Sequence, residues 1–325
     1  MKTRVAVVYG GRSGEHEVSL VSAESVIAAM NPERFEVVRY LVSKEGRWNP
    51  SPILPEPGMN PEIDVVFPVL HGTFGEDGTM QGLFELADLP YVGASVLASA
   101  ASMDKDVMKR LCRDRGLPVV EYTVTSRDDV EADAVKCEFP FPMFVKPANL
   151  GSSVGISKAH DCVELKAALK LAAQYDHKIL VERGIEGREF ECAVLGNDDP
   201  QAAMPCEILP SREFYDYEDK YELNLARTVV PPDLPDDVIL EMQRLAVECF
   251  KAVGCEGMGR VDFLLETATA GLYVNEINTV PGFTSISMFP RMWEYSGIPY
   301  PALIERLIDL AIARYKTRKA TRFTR

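Results

Sequence analysis

"GRVDFLLETATAGLYVNEINTVPGF", residues 259–283, holds the densest chemistry in the chain. Two apolar-rich runs, 259–266 and 272–283, flank a glycine-containing turn at 268–271, which predicts a β-hairpin. Alternate residues of a strand share a face. Arg260 and Asp262 therefore point one way, with Val261 and Phe263 opposite, while Glu276 and Asn278 share a face on the partner strand. If the polar pairs lie on the same side, a cation and three oxygen donors converge. Carboxylate and amide oxygens without His or Cys form a hard-cation set, suited to Mg²⁺ and to phosphate oxygens beside it. A solvated polar face of an ordinary hairpin fits the same pattern.

A second stretch, "VKPANLGSSVGIS" (145–157), joins Lys146 to a loop of small residues. Such loops hold phosphate, but no Gly-Lys-Ser/Thr follows the glycines, so this is not a P-loop. The loop leaves the strand "PMFVKP" (142–147), and "HKILVERGI" (177–185) is a second strand beyond a helix at Val163–Tyr175. Lys105, in a helix expected over 99–115, and Lys220, in "FYDYEDKYE" (214–222), are further candidate cations. Glu182 and Glu189 are carboxylates able to accept from an amino group or a hydroxyl. Surface roles fit each of these residues taken singly.

Nearer the N-terminus, strands and helices alternate. "VAVVY" (5–9) is a buried-strand run ending in Gly10-Gly11. Glu17–Met30 carries a rough helical stripe, "RFEVVRYLV" (34–42) and "DVVFPVLHG" (64–72) are strands, "TMQGLFELADL" is a helix and "PYVG" a short strand. This order predicts an α/β fold, α+β overall, with ligands bound beyond the carboxyl ends of the first strands, where Gly10–Gly14 and His71-Gly72 lie. "REFECAVLG" is a further strand and Asp236–Val253 a helix. Glu17 reads as a first-turn acid, Ser287 as a helix cap or turn serine, Tyr221 as a packed aromatic, and His71 as a histidine at a strand end.

The composition narrows the classes. The chain has 325 residues, enough for two or three domains, and no run of it is apolar enough to span a bilayer. Its N-terminus reads as a strand, not a signal peptide. The formal charge of −14 disfavours nucleic acid as a partner. Seven cysteines without a Cys-x-x-Cys pair point to reduced thiols and a cytoplasmic location, and argue against zinc. The basic segment 316–325 reads as a frayed, solvated tail.

Taken in order, "GGRSGEHEVSLVSA" (10–23), "LHGTFGEDGTMQG" (70–82), "SMDK" (102–105), "KPANLGSSVGISK" (146–158), "FYDYEDKY" (214–221), "GRVDFLL" (259–265) and "NEINTVPGFTSISMFP" (275–290) resemble the D-alanine–D-alanine ligases, an ATP-grasp family. The resemblance implies a three-domain ATP-grasp fold. Residues 1–98 would form a Rossmann-like preATP-grasp domain, 99–183 the small lid domain, and 184–325 the large C-terminal domain with its basic tail. It implies ligation of two D-alanines through a D-alanyl phosphate, for peptidoglycan precursor synthesis, by a cytoplasmic homodimer without membrane or nucleic-acid partners. Lys105 and Lys146 would meet ATP phosphates, Glu182 and Glu189 its adenine and ribose, and Ser153 and Lys220 would also bind the nucleotide. Asp262, Glu276 and Asn278 would hold two Mg²⁺ ions, with Mn²⁺ as substitute. Glu17, His71, Arg260, the Gly282 backbone and Ser287 would surround the amino acids. Ser152 and Tyr221 would join Glu17 in a hydrogen-bonded set tying the lid to the first substrate. One departure is Pro231-Pro232 where the family more often has Pro-Ala, which bears on the lid contact and the second substrate site. Tyr221 matches the pattern for D-alanine as second substrate; relatives that accept D-lactate usually lack this Lys-Tyr, and those that accept D-serine can keep it, so the alternative is a D-serine (or D-lactate) ligase of the same fold. A non-catalytic nucleotide-binding protein on this fold is the remaining alternative; it should have lost the metal ligands and phosphate lysines, which are present here.

Overall fold

Val5–Val8 have no solvent exposure, because the strand they form is covered on both faces. The computed structural model describes residues 2–131, 135, 139–209, 227–284 and 286–322. The first sheet contains β1 (Thr3–Gly10), β2 (Phe35–Val42), β3 (Trp48–Asn49) and β4 (Val65–Pro68), in the order β3-β2-β1-β4. β1 runs parallel to β2 and β4, and β3 is antiparallel at the edge. Pro68 is tolerated because its nitrogen lies on the side of β4 away from β1, where Val66 N pairs with Pro90 O, while Val69 N still donates to Val8 O at 2.8 Å. Tyr91 makes only an isolated bridge to Val66, so the expected "PYVG" strand is not formed.

α1 (His16–Ala29) buries Ser19, Ser22, Ala23 and Val26, while Val21 is 58% exposed. The expected apolar stripe is thus largely replaced by small residues. Their hydroxyls explain it: Ser19 Oγ accepts from Gly10 N at 2.7 Å and donates to Val69 O at 2.5 Å, tying the helix to the ends of β1 and β4. Gly10 is required at that junction, since its φ is +91° and a Cβ would lie 2.2 Å from Val42 O.

α2 (Thr79–Leu86) follows. The single helix expected over 99–115 is two, α3 (Val96–Met103) and α4 (Lys105–Asp114). Asp104 leaves the helical region and its carboxylate accepts from Asp106 N and Val107 N, both at 3.1 Å, so it caps α4. The break puts Lys105 on the first residue of α4.

The second sheet is antiparallel: β5 (Tyr122–Ser126), then past α5 (Arg127–Glu131), β6 (Met143–Pro147), β7 (Ser157–Ala159) and, after α6 (Cys162–Tyr175), β8 (Lys178–Arg183), ordered β5-β8-β6-β7. α6 closes its core with Leu165, Ala168, Leu169 and Ala172. The third sheet holds β9 (Gly187–Gly196), β10 (Gln201–Ala202), β11 (Cys206–Leu209), β12 (Arg227–Val229), β13 (Gly257–Glu266) and β14 (Leu272–Asn278). Its path is β12-β11-β9-β13-β14, with β10 on β9. α7 (Asp236–Ala252) packs on one face through Met242, Leu245 and Phe250. α8 (Met288–Tyr295) and α9 (Tyr300–Lys319) cover the other face and share one core with the first sheet, joining Val5, Val7 and Phe67 to Leu195, Met258, Phe289 and Trp293.

The basic tail departs from expectation. Residues up to Lys319 complete α9, where Arg318 pairs with Glu85, and Lys319 meets Asp88 at 2.5 Å. The acids at the end of α2 neutralise the last turn, so it does not fray.

Candidate active site

The hairpin forms as its alternation requires. Arg260 lies opposite Asn278 and Asp262 opposite Glu276, so all four share a face. Arg260 grips Asp262 with Nε–Oδ1 and Nη2–Oδ2 bonds of 2.7 Å each. On the other side of β13, Glu191 lies opposite Asp262, extending the acids into a row Glu191–Asp262–Glu276 across three strands. Glu191 comes within 3.3 Å of Arg260. Burial works against the Arg260 charge, but Asp262, Glu191 and Glu276 outweigh it and hold the guanidinium protonated. Sequence reading missed Glu191, although it alternates with Glu189 in "REFECAVLG". Asp262, Glu276 and Asn278 offer oxygen donors only, which fits a hard divalent cation once Asp262 is released from Arg260.

The candidate phosphate lysines converge on this face from two other elements. Lys105 Nζ donates to Leu150 O at 2.6 Å and lies 3.7 Å from Glu276. Lys146, closing β6, donates to Asn275 at 3.2 Å and meets Glu182 at 2.7 Å. Burial lowers the pKa of the Lys146 ammonium, but the pull of Glu182, Glu276 and Glu189 exceeds that effect and leaves it raised. Glu189 on β9 thus lies within electrostatic reach of Lys146. Burial alone would raise the Glu182 carboxyl; Lys109 and Lys146 together hold it down at about 2.

That depression has a sign in stability. A carboxyl held below its ordinary 4.5 stabilises the fold above that pH, and the contribution fades as pH falls toward about 2. Glu182→Gln should therefore cost about 3–5 kcal/mol at pH 7, the usual penalty for breaking a buried pair. In urea unfolding the gap to the parent should narrow at pH 3; a gap of constant size would contradict the ion-pair account.

The third wall comes from the first sheet. His71 is buried, with Nδ1 3.1 Å from Val280 O and Nε2 3.3 Å from Ser22 Oγ, so it ties β4's end to the loop after β14. Burial pushes its imidazole toward the neutral form. Glu76 accepts from Gly72 N at 2.6 Å, and burial beside Glu15 raises its carboxyl. In the post-β14 loop, a Cβ on Gly282 would lie 2.7 Å from Ser287 Oγ, so the two are in contact. Ser287 precedes α8 without capping it and bonds back to Thr284, accepting from its N at 2.9 Å.

The β6–β7 loop closes over these walls. Ser152 and Ser153 have φ of +53° and +59°, a left-handed pair rare outside glycine. Ser152 Oγ donates to the carboxylate of Glu15. This corrects the expectation for Glu17, whose side chain is 66% exposed and pairs with Lys44 at 2.5 Å. The reason is the helix boundary. α1 begins at His16, so Glu15 still belongs to the loop facing the site, whereas Glu17 is on the outward side of the first turn. Glu15 N donates to Ser13 Oγ at 3.2 Å, and Ser13 Oγ donates to His71 O at 2.7 Å. Lys220 and Tyr221 lie outside the described residues.

With this geometry in place, a family model described as the D-ala D-ala ligase C-terminus matches residues 111–309, and its N-terminal counterpart matches 4–57 and 51–94. The chain belongs to the D-alanine–D-alanine ligase family. It is 65% identical to a D-alanine--D-alanine ligase of Solibacter usitatus over 326 aligned positions, covering 100% of both chains. It is 46% identical to that of Acetivibrio thermocellus, covering 97% of each. Among solved structures, the VanG D-Ala:D-Ser ligase from Enterococcus faecalis superposes with a TM-score of 0.87 at 34% identity, covering 96% of this chain and 100% of that one. The D-alanine-D-alanine ligase from Coxiella burnetii gives 0.84 at 36%, covering 98% and 96%. For a member of this family, the three-sheet architecture and the α/β class agree with these likenesses.

Proposed function

We propose that this chain joins two D-alanines at the cost of ATP, releasing ADP and phosphate, for peptidoglycan precursor synthesis. The observation that carries the reading is the placement of Lys105 3.7 Å from Glu276, and of Lys146 on Asn275 and within electrostatic reach of Glu276, beside the Arg260–Asp262–Glu276–Asn278 face and under a loop latched to Glu15. Cations, a hard-cation donor set and a closing loop are what phosphoryl transfer to a carboxylate needs.

In this reading a carboxylate oxygen of the first D-alanine attacks the γ-phosphorus. The bond to the ADP oxygen breaks, giving ADP and an acyl phosphate. The amine of the second D-alanine then attacks the acyl carbon, phosphate leaves, and the nitrogen gives up a proton. Lys105 and Lys146 hold the phosphates, and Glu182 and Glu189 receive adenine and ribose. Arg260 and the Gly282 N–H stabilise the tetrahedral oxyanion. Mg²⁺ held by Asp262, Glu276 and Asn278, as two ions with Mn²⁺ as substitute, would neutralise charge on the transferring phosphate. His71 and Ser287 line the amino-acid side. Glu15, in place of Glu17, receives Ser152, and Ser153 binds the nucleotide; nucleotide binding by Lys220 and a seam role for Tyr221 rest on the resemblance alone. The closed loop excludes water, to which an acyl phosphate is labile.

The division 1–98, 99–183 and 184–325 belongs to the same reading, and it is supported by each sheet falling within one span. So do the cytoplasmic location and the homodimer, the latter open to sedimentation analysis. A coupled ADP-release assay tests the whole. ADP should appear only with Mg²⁺ and D-alanine together. Arms with D-serine or D-lactate as second substrate read the acceptor, and turnover with L-alanine but not D-alanine would overturn the substrate assignment.

A further inference from the structure

α4 carries Lys109 one turn after Lys105, on the same face. Lys109 has no solvent exposure, and its Nζ finds no aligned hydrogen-bond acceptor among the described residues. Its nearest anion is Glu182 Oε1 at 3.1 Å, and it lies over the Tyr122 ring at 5.8 Å. Glu182 Oε2 is held by Lys146 at 2.7 Å. One carboxylate thus joins two ammonium groups. Exposure rises outward along the chain, from Lys109 at 0% through Glu182 at 2% to Lys146 at 8%.

Burying an ammonium without a full set of acceptors is costly, and one lysine already neutralises Glu182. The second lysine becomes useful when the first leaves. A nucleotide whose phosphates draw Lys146 away would strand Glu182 as a buried, unpaired anion. Lys109 stays behind on the inner oxygen, keeps the carboxylate ionised and fixes its plane, so that Oε2 remains aimed outward.

We propose that Lys109 is a positioning residue for nucleotide selection, holding Glu182 so that its outer oxygen accepts from the 6-amino group of the purine. This rests on the reading of Glu182 as the adenine contact. The role is selective, not chemical: Lys109 acts through Glu182 and touches no reacting atom. Fixing the inner oxygen sets the direction in which the outer one accepts, and a site built to accept from an amino group penalises a purine that lacks one.

The test compares Mg-ATP with Mg-ITP, whose base lacks the 6-amino group, in the ADP- or IDP-release assay of the parent, Glu182→Gln, Lys109→Met and Lys109→Arg. The kcat/KM ratio of ATP to ITP should fall roughly tenfold or more in Glu182→Gln and Lys109→Met, the worth of one charge-assisted hydrogen bond. In Lys109→Met the loss should appear as a raised KM for ATP, with kcat nearly unchanged, and Lys109→Arg should restore most of the ratio. Loss of the ratio in Glu182→Gln but not in Lys109→Met overturns the role of Lys109 and leaves the adenine reading standing. An unchanged ratio in Glu182→Gln removes the adenine reading itself, and the proposal with it. A fall in kcat at unaltered KM also overturns the proposal. If Lys109→Met does not fold, Lys109→Gln, which keeps a polar head, is read against the same outcomes.

Discussion

Glu276→Gln should lower kcat by about 10³-fold or more, the scale on which a charge-stabilising group of a phosphoryl-transfer site is felt. The substitution keeps the shape of the side chain and removes one negative charge. That charge cannot be supplied by its neighbours. Asp262 is bound twice by Arg260, and Glu191 lies against the same guanidinium. Lys105, 3.7 Å away, would lose its carboxylate and face the phosphates with less restraint. Two effects therefore add: weaker divalent-cation binding and a displaced phosphate lysine. The first is separable by titration, because excess Mg²⁺ should recover part of the lost rate if the cation has merely become weakly bound. Glu276 is half-buried on a strand that remains packed beneath by Val274 and Ile277, so the melting temperature should change little. Turnover near the parent level in Glu276→Gln would remove the metal assignment for this hairpin.

How much of this was legible in the sequence depends on the range of the interaction that decides each residue. The hairpin could be read because its period of two is local, and register then brought Arg260, Asp262, Glu276 and Asn278 to one face. Glu191 escaped notice because its significance lies across the sheet: only pairing of β9 with β13 places it opposite Asp262. The break at Asp104 was available locally, as an Asp able to cap the turn that follows, but helical character on both sides masked it. Lys109 carries no local signal, because its partner Glu182 lies on β8, far along the chain. The basic end of α9 looked solvated because its partners, Glu85 and Asp88, are more than two hundred residues away in sequence. Small-residue packing likewise hid the buried face of α1, where hydroxyl groups of Ser19 and Ser22 replace an apolar stripe.

The second large effect separates two acids that stand two positions apart. Glu15→Gln should lower kcat/KM for D-alanine by about 10²-fold, as expected when one partner of a part-buried, charge-assisted contact is removed. Glu17→Gln should leave activity within about twofold, because an exposed ion pair such as that with Lys44 contributes little. Both residues lie beside a helix start, and the dipole favours an acid at either position. The discriminating fact is the direction of the side chain. Glu15 receives the Ser152 hydroxyl and lies against Gly72, where a Cβ would approach its Oε2 to 2.7 Å, so its carboxylate is enclosed by the β6–β7 loop and the His71 loop. Glu17 points to solvent from the first turn of α1. Ser152→Ala should reproduce part of the Glu15→Gln loss, and the double variant should fall short of the product of the single effects, since both remove the same latch. A strictly multiplicative double variant would show that Ser152 and Glu15 act separately. The reverse ranking of Glu15→Gln and Glu17→Gln would show that the closed loop seen here is not the arrangement in which the enzyme works.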